Sequence, residues 1–177
     1  HQETDMKTIS FHNPICRGAD PWMFPFEGKF YLCCTAGHRI TLWRAADPTQ
    51  IQEEESIVAF EPEAGHEWSL DLWSPEIHYY TDKEIGTGNG GWYCYLAGTE
   101  KTAASADGIA THRMYVIKCL DGDNLLGRWG NPLTGEVNVP LRVTAPDMPG
   151  FDDVWAAGMT DIRIGGKVYT MYVTVVD

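Results

Sequence analysis

The sequence repeats itself, and the repeating unit is made of strands. An apolar alternating run, a tight turn built on Gly and an aromatic-led run recur three times, and twice a His-Arg pair opens a third strand. The copies run from Trp22 to Asp47, from Glu76 to Asp121 and from Asp161 to Asp177. Aligned on Tyr31, Tyr93 and Tyr169 they are 62 and 76 residues apart, with the extra length in inserted loops. A meander of this kind has two faces and cannot bury both alone, so copies must stack on one another. The pattern predicts an all-β chain of propeller blades, about two and a half of them, because the third copy stops after its second strand.

No segment carries apolar residues at helical i, i+3, i+4, i+7 spacing over three turns, so strands of four to nine residues are expected from Asn13-Pro14 onward. A length of 177 residues suits one domain with a real core, here an incomplete one. Gln52 to Glu55 with Glu61 and Glu63 read as an acidic connector, and Thr99 to Thr111 as a small-residue polar loop. Gly130 to Asp153, with four Pro, links the second unit to the third. Long loops on a strand scaffold gather where binding sites form.

Charge narrows the partners. Thirteen Lys and Arg face 25 Asp and Glu, a formal charge of −12, and no basic cluster interrupts that field. Nucleic acid and anionic membranes are poor candidates, since both need concentrated positive charge. The longest apolar stretches fall well short of the roughly 20 residues that cross a bilayer, so no membrane span is expected. The chain opens His1-Gln2-Glu3, consistent with a processed or cut form; a secreted or periplasmic location is the expectation. The five Cys are odd in number and lack C-x-x-C spacing, and four sit in apolar strand patterns, so buried free thiols are expected over disulfides or zinc.

Several motifs resolve into turns. Gly86 to Gly91 matches G-x-G-x-x-G, yet the strand Trp92-Tyr93-Cys94-Tyr95 follows it where a dinucleotide fold needs a helix, so a hairpin loop is expected. Asp121-Gly122-Asp123-Asn124 begins like a calcium loop but lacks its Gly at position six and its terminal Glu. No G-x-S-x-G, H-E-x-x-H or C-x-x-C is present.

Two segments carry more. Asp20, before Pro21 and Trp22, heads the first strand of the first unit, where a propeller's innermost strand starts against the central channel. A carboxylate there can point into a shared pocket; Asp before Pro also starts an Asx turn. Leu72-Trp73-Ser74-Pro75-Glu76-Ile77-His78-Tyr79 stands at the equivalent place in the second unit. Trp73 can offer its ring face to a sugar, and Glu76 and His78 share one side of the strand by period two. The competing reading is a core Trp with a satisfied Glu76–His78 pair.

Together these residues resemble family 43 of the glycoside hydrolases. Asn13-Pro14-Ile15, Ala19-Asp20-Pro21 and Trp73-Ser74-Pro75-Glu76-Ile77-His78 are similar to that family's Asn-Pro-Ile/Val, Ala-Asp-Pro and Trp-Ala-Pro-Glu-Ile-His, and Asn131-Pro132-Leu133-Thr134-Gly135 to the Asp-Pro-Leu-Thr-Gly of its arabinofuranosidase-like members. The resemblance implies a five-bladed propeller hydrolysing arabinose- or xylose-containing plant glycans (arabinan, arabinoxylan or xylan fragments) with inversion. It implies Asp20 as the general base that activates water, with Trp22, Trp73, Glu76 and His78 lining the sugar pocket. No cofactor is implied. Family members often hold a metal ion on the propeller axis, but no match to a late-blade ligand exists here.

Two departures accompany the resemblance. Aligned on Gly166-Lys167-Val168-Tyr169, the family's carboxylate that tunes the acid falls at Gly158; Asp161, three residues on, would face another way unless the strand is bulged. The acid Glu lies beyond the third blade, so the active site is expected to be incomplete in this chain, and further blades, another copy or a partner are expected to complete the ring. A carbohydrate-binding or scaffold propeller without catalysis is the alternative expectation.

Overall fold

Period-two alternation is realised throughout the computed structural model, which describes residues 8, 10–36, 38–100, 111–143 and 155–175. The first sheet is a four-stranded antiparallel meander in chain order: β1 (Ala19–Phe26), β2 (Lys29–Thr35), β3 (Ile40–Ala45) and β4 (Glu55–Phe60). The second runs β5 (Leu70–Tyr80), β6 (Gly91–Thr99), β7 (Arg113–Cys119) and β8 (Trp129–Gly130), with β9 (Leu141–Arg142) also on β7. The third is a hairpin of β10 (Trp155–Ile164) and β11 (Lys167–Val175). Two full meanders and half of a third are the two and a half blades the repeat predicts.

The repeat is also kept in register. Tyr31 pairs with Phe24, Tyr93 with His78 and Tyr169 with Ile162, so the three tyrosines stand at one place in the unit. The short loops obey local chemistry. Positive φ at Glu27 and Gly28, and at Gly165 and Gly166, makes the hairpin turns, a conformation Gly adopts without a Cβ clash. Gly86 to Gly90 is a loop between β5 and β6, preceded by a one-turn helix α1 (Asp82–Ile85) whose Thr81–Glu84 capping box satisfies its first N–H groups. Asp121 to Asp123 is a turn, with Asp121 bound to Arg128 (Nη2 to Oδ1 2.7 Å).

Two elements depart from the sequence reading. The acidic connector is interrupted by β4, whose Ala59 and Phe60 are buried while Glu55 is exposed. Leu141 and Arg142, inside the proline-rich link, return to pair with Val116 and Tyr115. The polar loop of 101–110 and the prolines at 146 and 149 lie outside the described residues.

The sheets pack face to face through seams of different chemistry. Between the first and second sheets, Phe24 stacks on Tyr31 (5.4 Å) and Trp92 (5.3 Å), and Phe26 meets Trp92 edge-on at 4.8 Å. Each such pair adds about 1 kcal/mol to its area burial. Leu42, Leu72, Ile77, Leu96, Ile117 and Trp129 complete that core. Between the second sheet and the hairpin the packing is Met114 with Met159, and Tyr80 and Tyr93 with Val168. On the hairpin's other face Ile162, Ile164, Tyr169 and Met171 are exposed. Ile162 and Tyr169 hold the positions that Phe24 and Tyr31 hold in the first unit, where they pack on the next sheet.

No helix among the described residues is long and apolar enough to cross a membrane. All five thiols are free, and Cys33, Cys34, Cys94 and Cys119 are buried. Burial pushes the Cys34 and Cys119 thiols up to about 11 and those of Cys33 and Cys94 upward as well. Since only the thiolate reacts, an aromatic disulfide reagent at pH 8 is expected to titrate partly exposed Cys16 quickly, and the other four only after unfolding.

Candidate functional site

The heads of the innermost strands are irregular, and the irregularity aims their side chains. β1 carries a register shift between Ala19 and Trp22, β5 carries two, between Leu70 and Trp73 and between Trp73 and Glu76, and β10 carries one between Ala156 and Gly158. Such bulges bend a strand and re-aim the residues beside them. Asp20 (φ 52°), Asp71 (φ 42°) and Ser74 (φ 50°) are held in the left-handed region, which costs a non-Gly residue energy and persists only where surroundings enforce it.

Asp20 is exposed, and its Oδ2 accepts a hydrogen bond from the Ser74 backbone N–H at 3.1 Å. This is not the Asx bond to its own backbone that Asp before Pro suggests; the partner is 54 residues away, at the head of β5. Two further contacts tie the same strands. The Trp22 indole N–H donates to the Ile77 carbonyl (3.0 Å), and the Cys33 thiol lies 3.6 Å from the Pro75 carbonyl. Beside Asp20, an added Cβ at Gly18 (φ 145°) would stand 2.6 Å from the Cys34 Cβ, so the approach to Asp20 needs Gly.

His78 is the hub. Its ring lies 5.2 Å from that of Trp22, its Nε2 is 3.1 Å from Glu76 Oε2, and its Nδ1 is 3.5 Å from Asp161 Oδ1. Side-chain exposures of 11% for His78, 12% for Asp161 and 22% for Glu76 place the three largely out of water, where ion pairs are screened least. One residue each from β1, β5 and β10 thus meets at this ring. No register shift separates Gly158 from Asp161, so Asp161 faces away from the side that position 158 takes, and by plain alternation it shares the side of Met159, which packs on the second sheet.

The contacts continue outward. Arg163 donates to Asp161 (3.0 Å), to Glu84 (2.7 Å) and to the Tyr79 carbonyl (3.0 Å), locking the hairpin onto the second sheet. The Thr81 backbone N–H and then the Arg163 guanidinium hold the Glu84 carboxyl below its usual range. Nothing local in the sequence pairs Arg163 with Glu84, 79 residues earlier.

Trp73 is half-buried among Ala97, Met114 and Met159, and its ring lies flat on that of His112, 3.6 Å between centroids and 13° between planes. His112 in turn is within 3.0 Å of the Asp71 carbonyl. Sequence reasoning did not single out His112 beyond its place in the His-Arg pair. Trp73 and Ser74 adjoin in the chain, so the structure groups Asp20 with the head of β5, and Trp22, Glu76 and His78 one turn of the pleat further along. No Glu76 contact to Asp20 links the groups. Among the described residues, no cluster of three or more His, Cys, Asp or Glu is placed to hold a metal ion.

His78→Ala leaves the Glu76 and Asp161 carboxylates facing each other with no donor between. A loss of about 2 kcal/mol is expected from losing the hydrogen bond to the Glu76 carboxylate, measured by urea unfolding. The double variant with Asp161→Asn should lose less than the sum of the singles; an unchanged midpoint in His78→Ala would show that the ring carries no weight.

Sequence comparison finds no matching family model and no matching curated protein. Structure comparison does find likenesses. The alpha-L-arabinofuranosidase of Lactobacillus brevis superposes with a TM-score of 0.67 at 22% identity, over 94% of this chain and 47% of that one. A mutant of the alpha-L-arabinanase of Cellvibrio cellulosa gives 0.51 at 22% identity, over 86% of this chain and 43% of that one. The chain thus spans about half the length of these structures, and over that half it has the fold of the arabinofuranosidase and arabinanase that family 43 resemblance leads one to expect.

Proposed function

We propose that this chain is part of an inverting glycoside hydrolase of the family 43 kind, acting on arabinose- or xylose-containing plant glycans. The observation that carries this reading is Asp20: an exposed carboxylate at the head of an innermost strand, in a left-handed conformation, fixed by the Ser74 N–H of the next sheet. One oxygen is anchored and the carboxylate remains open to solvent, which is what a base that must reach a water requires. In this reading Trp22, Trp73, Glu76 and His78 contact the sugar. The bond from Ser74 orients the base, and His78 holds Glu76 and Asp161 in place.

Inverting hydrolysis also needs an acid that protonates the leaving oxygen, roughly 6.5–9.5 Å across from the base. In this reading it comes from the further blades that dock on the exposed face of Ile162, Ile164, Tyr169 and Met171. Asp161 is engaged by both His78 and Arg163, which suits an orienting carboxylate better than one that exchanges protons. The whole is one propeller domain of a secreted or periplasmic protein.

A second reading keeps glycan binding without hydrolysis. Gly158 at the aligned carboxylate position favours it, as does Trp73, whose ring already lies on His112.

The decisive assay uses aryl arabinofuranosides and xylosides with this chain, with a longer protein containing it, and with Asp20→Asn in each. Hydrolysis by the longer protein is expected to fall by about 100-fold or more in Asp20→Asn, with thermal stability little changed. Activity that persists unaltered in the variant removes Asp20 from the mechanism. Binding without turnover in both forms, lost in Trp73→Ala, favours the second reading.

A further inference from the structure

The connector from β4 to β5 and the loop after β8 line a cavity of about 440 Å³ that shares no lining residue with the Asp20 site. Its floor is formed where the chain leaves β4 for β5 and where the loop after β8 turns back. Asn138, itself at φ 60°, clamps the two: its Oδ1 accepts from the Glu61 N–H (2.9 Å), its Nδ2 donates to the Glu61 carbonyl, and its own N–H donates to the Trp129 carbonyl (2.9 Å). The walls are therefore fixed before any ligand arrives, and the volume lies within the roughly 300–1,000 Å³ usual for small-molecule sites.

The lining has two chemistries. His66 and Trp68 lie parallel, 4.8 Å apart and within 1°, and Trp68 is braced edge-on against Tyr115 at 5.8 Å. Glu63 and Glu136, one from each of the two segments, also line it, and both are exposed. A braced aromatic step beside carboxylates matches a sugar, whose C–H face packs on rings while its hydroxyls donate to charged acceptors, bonds about twice as strong as neutral ones. The same carboxylates, in a chain of net charge −12, repel phosphates and uronic acids.

We propose that this cavity is a second carbohydrate-binding site, taking one or two units of a neutral glycan and holding the polymer to the surface away from Asp20. The choice of a glycan rests on the function proposed above; the cavity and its chemistry do not.

The test is binding of arabinotetraose and xylotetraose to the full chain by titration calorimetry and saturation-transfer NMR. His66→Ala with Glu136→Ala changes only exposed residues, so the melting temperature should stay put while affinity for one tetraose falls by about tenfold, the scale of one lost charge-assisted contact. Asp20→Asn with Trp73→Ala should leave the part of that binding carried by His66 and Glu136, removing only sugar contact at the Asp20 site. Binding abolished by the Asp20 and Trp73 changes but untouched by those at His66 and Glu136 overturns the second site and leaves the proposed function standing. Loss of that part with His66 and Glu136 changed, and its survival with Asp20 and Trp73 changed, supports the second site. No binding of either tetraose by the unaltered chain overturns the second site, and hydrolysis by the longer protein then judges the proposed function separately.

Discussion

Three strands, β1, β5 and β10, belong to three different sheets, and no backbone ladder joins them. Their mutual placement depends on side chains that reach from one sheet to the next, and several of these crossings gather around His78. Trp22 serves twice: its indole N–H satisfies the Ile77 carbonyl while its ring packs on the imidazole. An aromatic side chain with one polar atom suits a place that is apolar along its length and polar at its end. Asp20 to Ser74 and Cys33 to Pro75 repeat the arrangement, a side chain of the first sheet meeting backbone of the second.

The two seams rest on different forces. The first is dominated by aromatic and aliphatic burial, which is insensitive to direction and tolerates little void. The second adds the chain of charges Glu76, His78, Asp161, Arg163 and Glu84, whose worth depends on geometry and on exclusion of water. Alternation along the unbroken register from Gly158 to Ile164 puts Asp161 and Arg163 on the side of β10 that faces the second sheet, opposite the exposed Ile162 and Ile164. Strain at Asp20, Asp71 and Ser74 is concentrated where these crossings begin, and the extensive first seam is the reservoir that holds it.

Under the proposed function, a carboxylate fixed by one oxygen and open at the other supplies the water-activating half of a hydrolytic site. The same reading places the acid outside these strands, since hydrolysis of a glycosidic bond uses carboxyl groups on either side of it. The exposed apolar face of the β10–β11 hairpin is consistent with that division. In the first unit the equivalent face, with Phe24 and Tyr31, is covered by the next sheet, whereas Ile162 and Tyr169 of the third are exposed.

Much of this was legible in the residues alone. The meander repeat, the hairpin turns, the burial of four thiols and the shared side of Glu76 and His78 all follow from period-two alternation and from Gly, which are properties of a strand and its nearest neighbours. β4 inside the acidic connector was not, because Glu55 and Ser56 hide an edge strand whose only buried residues are Ala59 and Phe60. Nor were the partner of Asp20, the stacking of Trp73 on His112, or the turn of Asp161 toward His78. Each of these depends on which sheet faces which or on where a strand slips its register by one residue, and those are settled only when distant segments pack. The sequence by itself determined that the chain must form stacked meanders with carboxylates at the strand heads. Tertiary structure decided where those carboxylates point, because alternation sets a side chain's face while bulges and cross-sheet contacts set its direction.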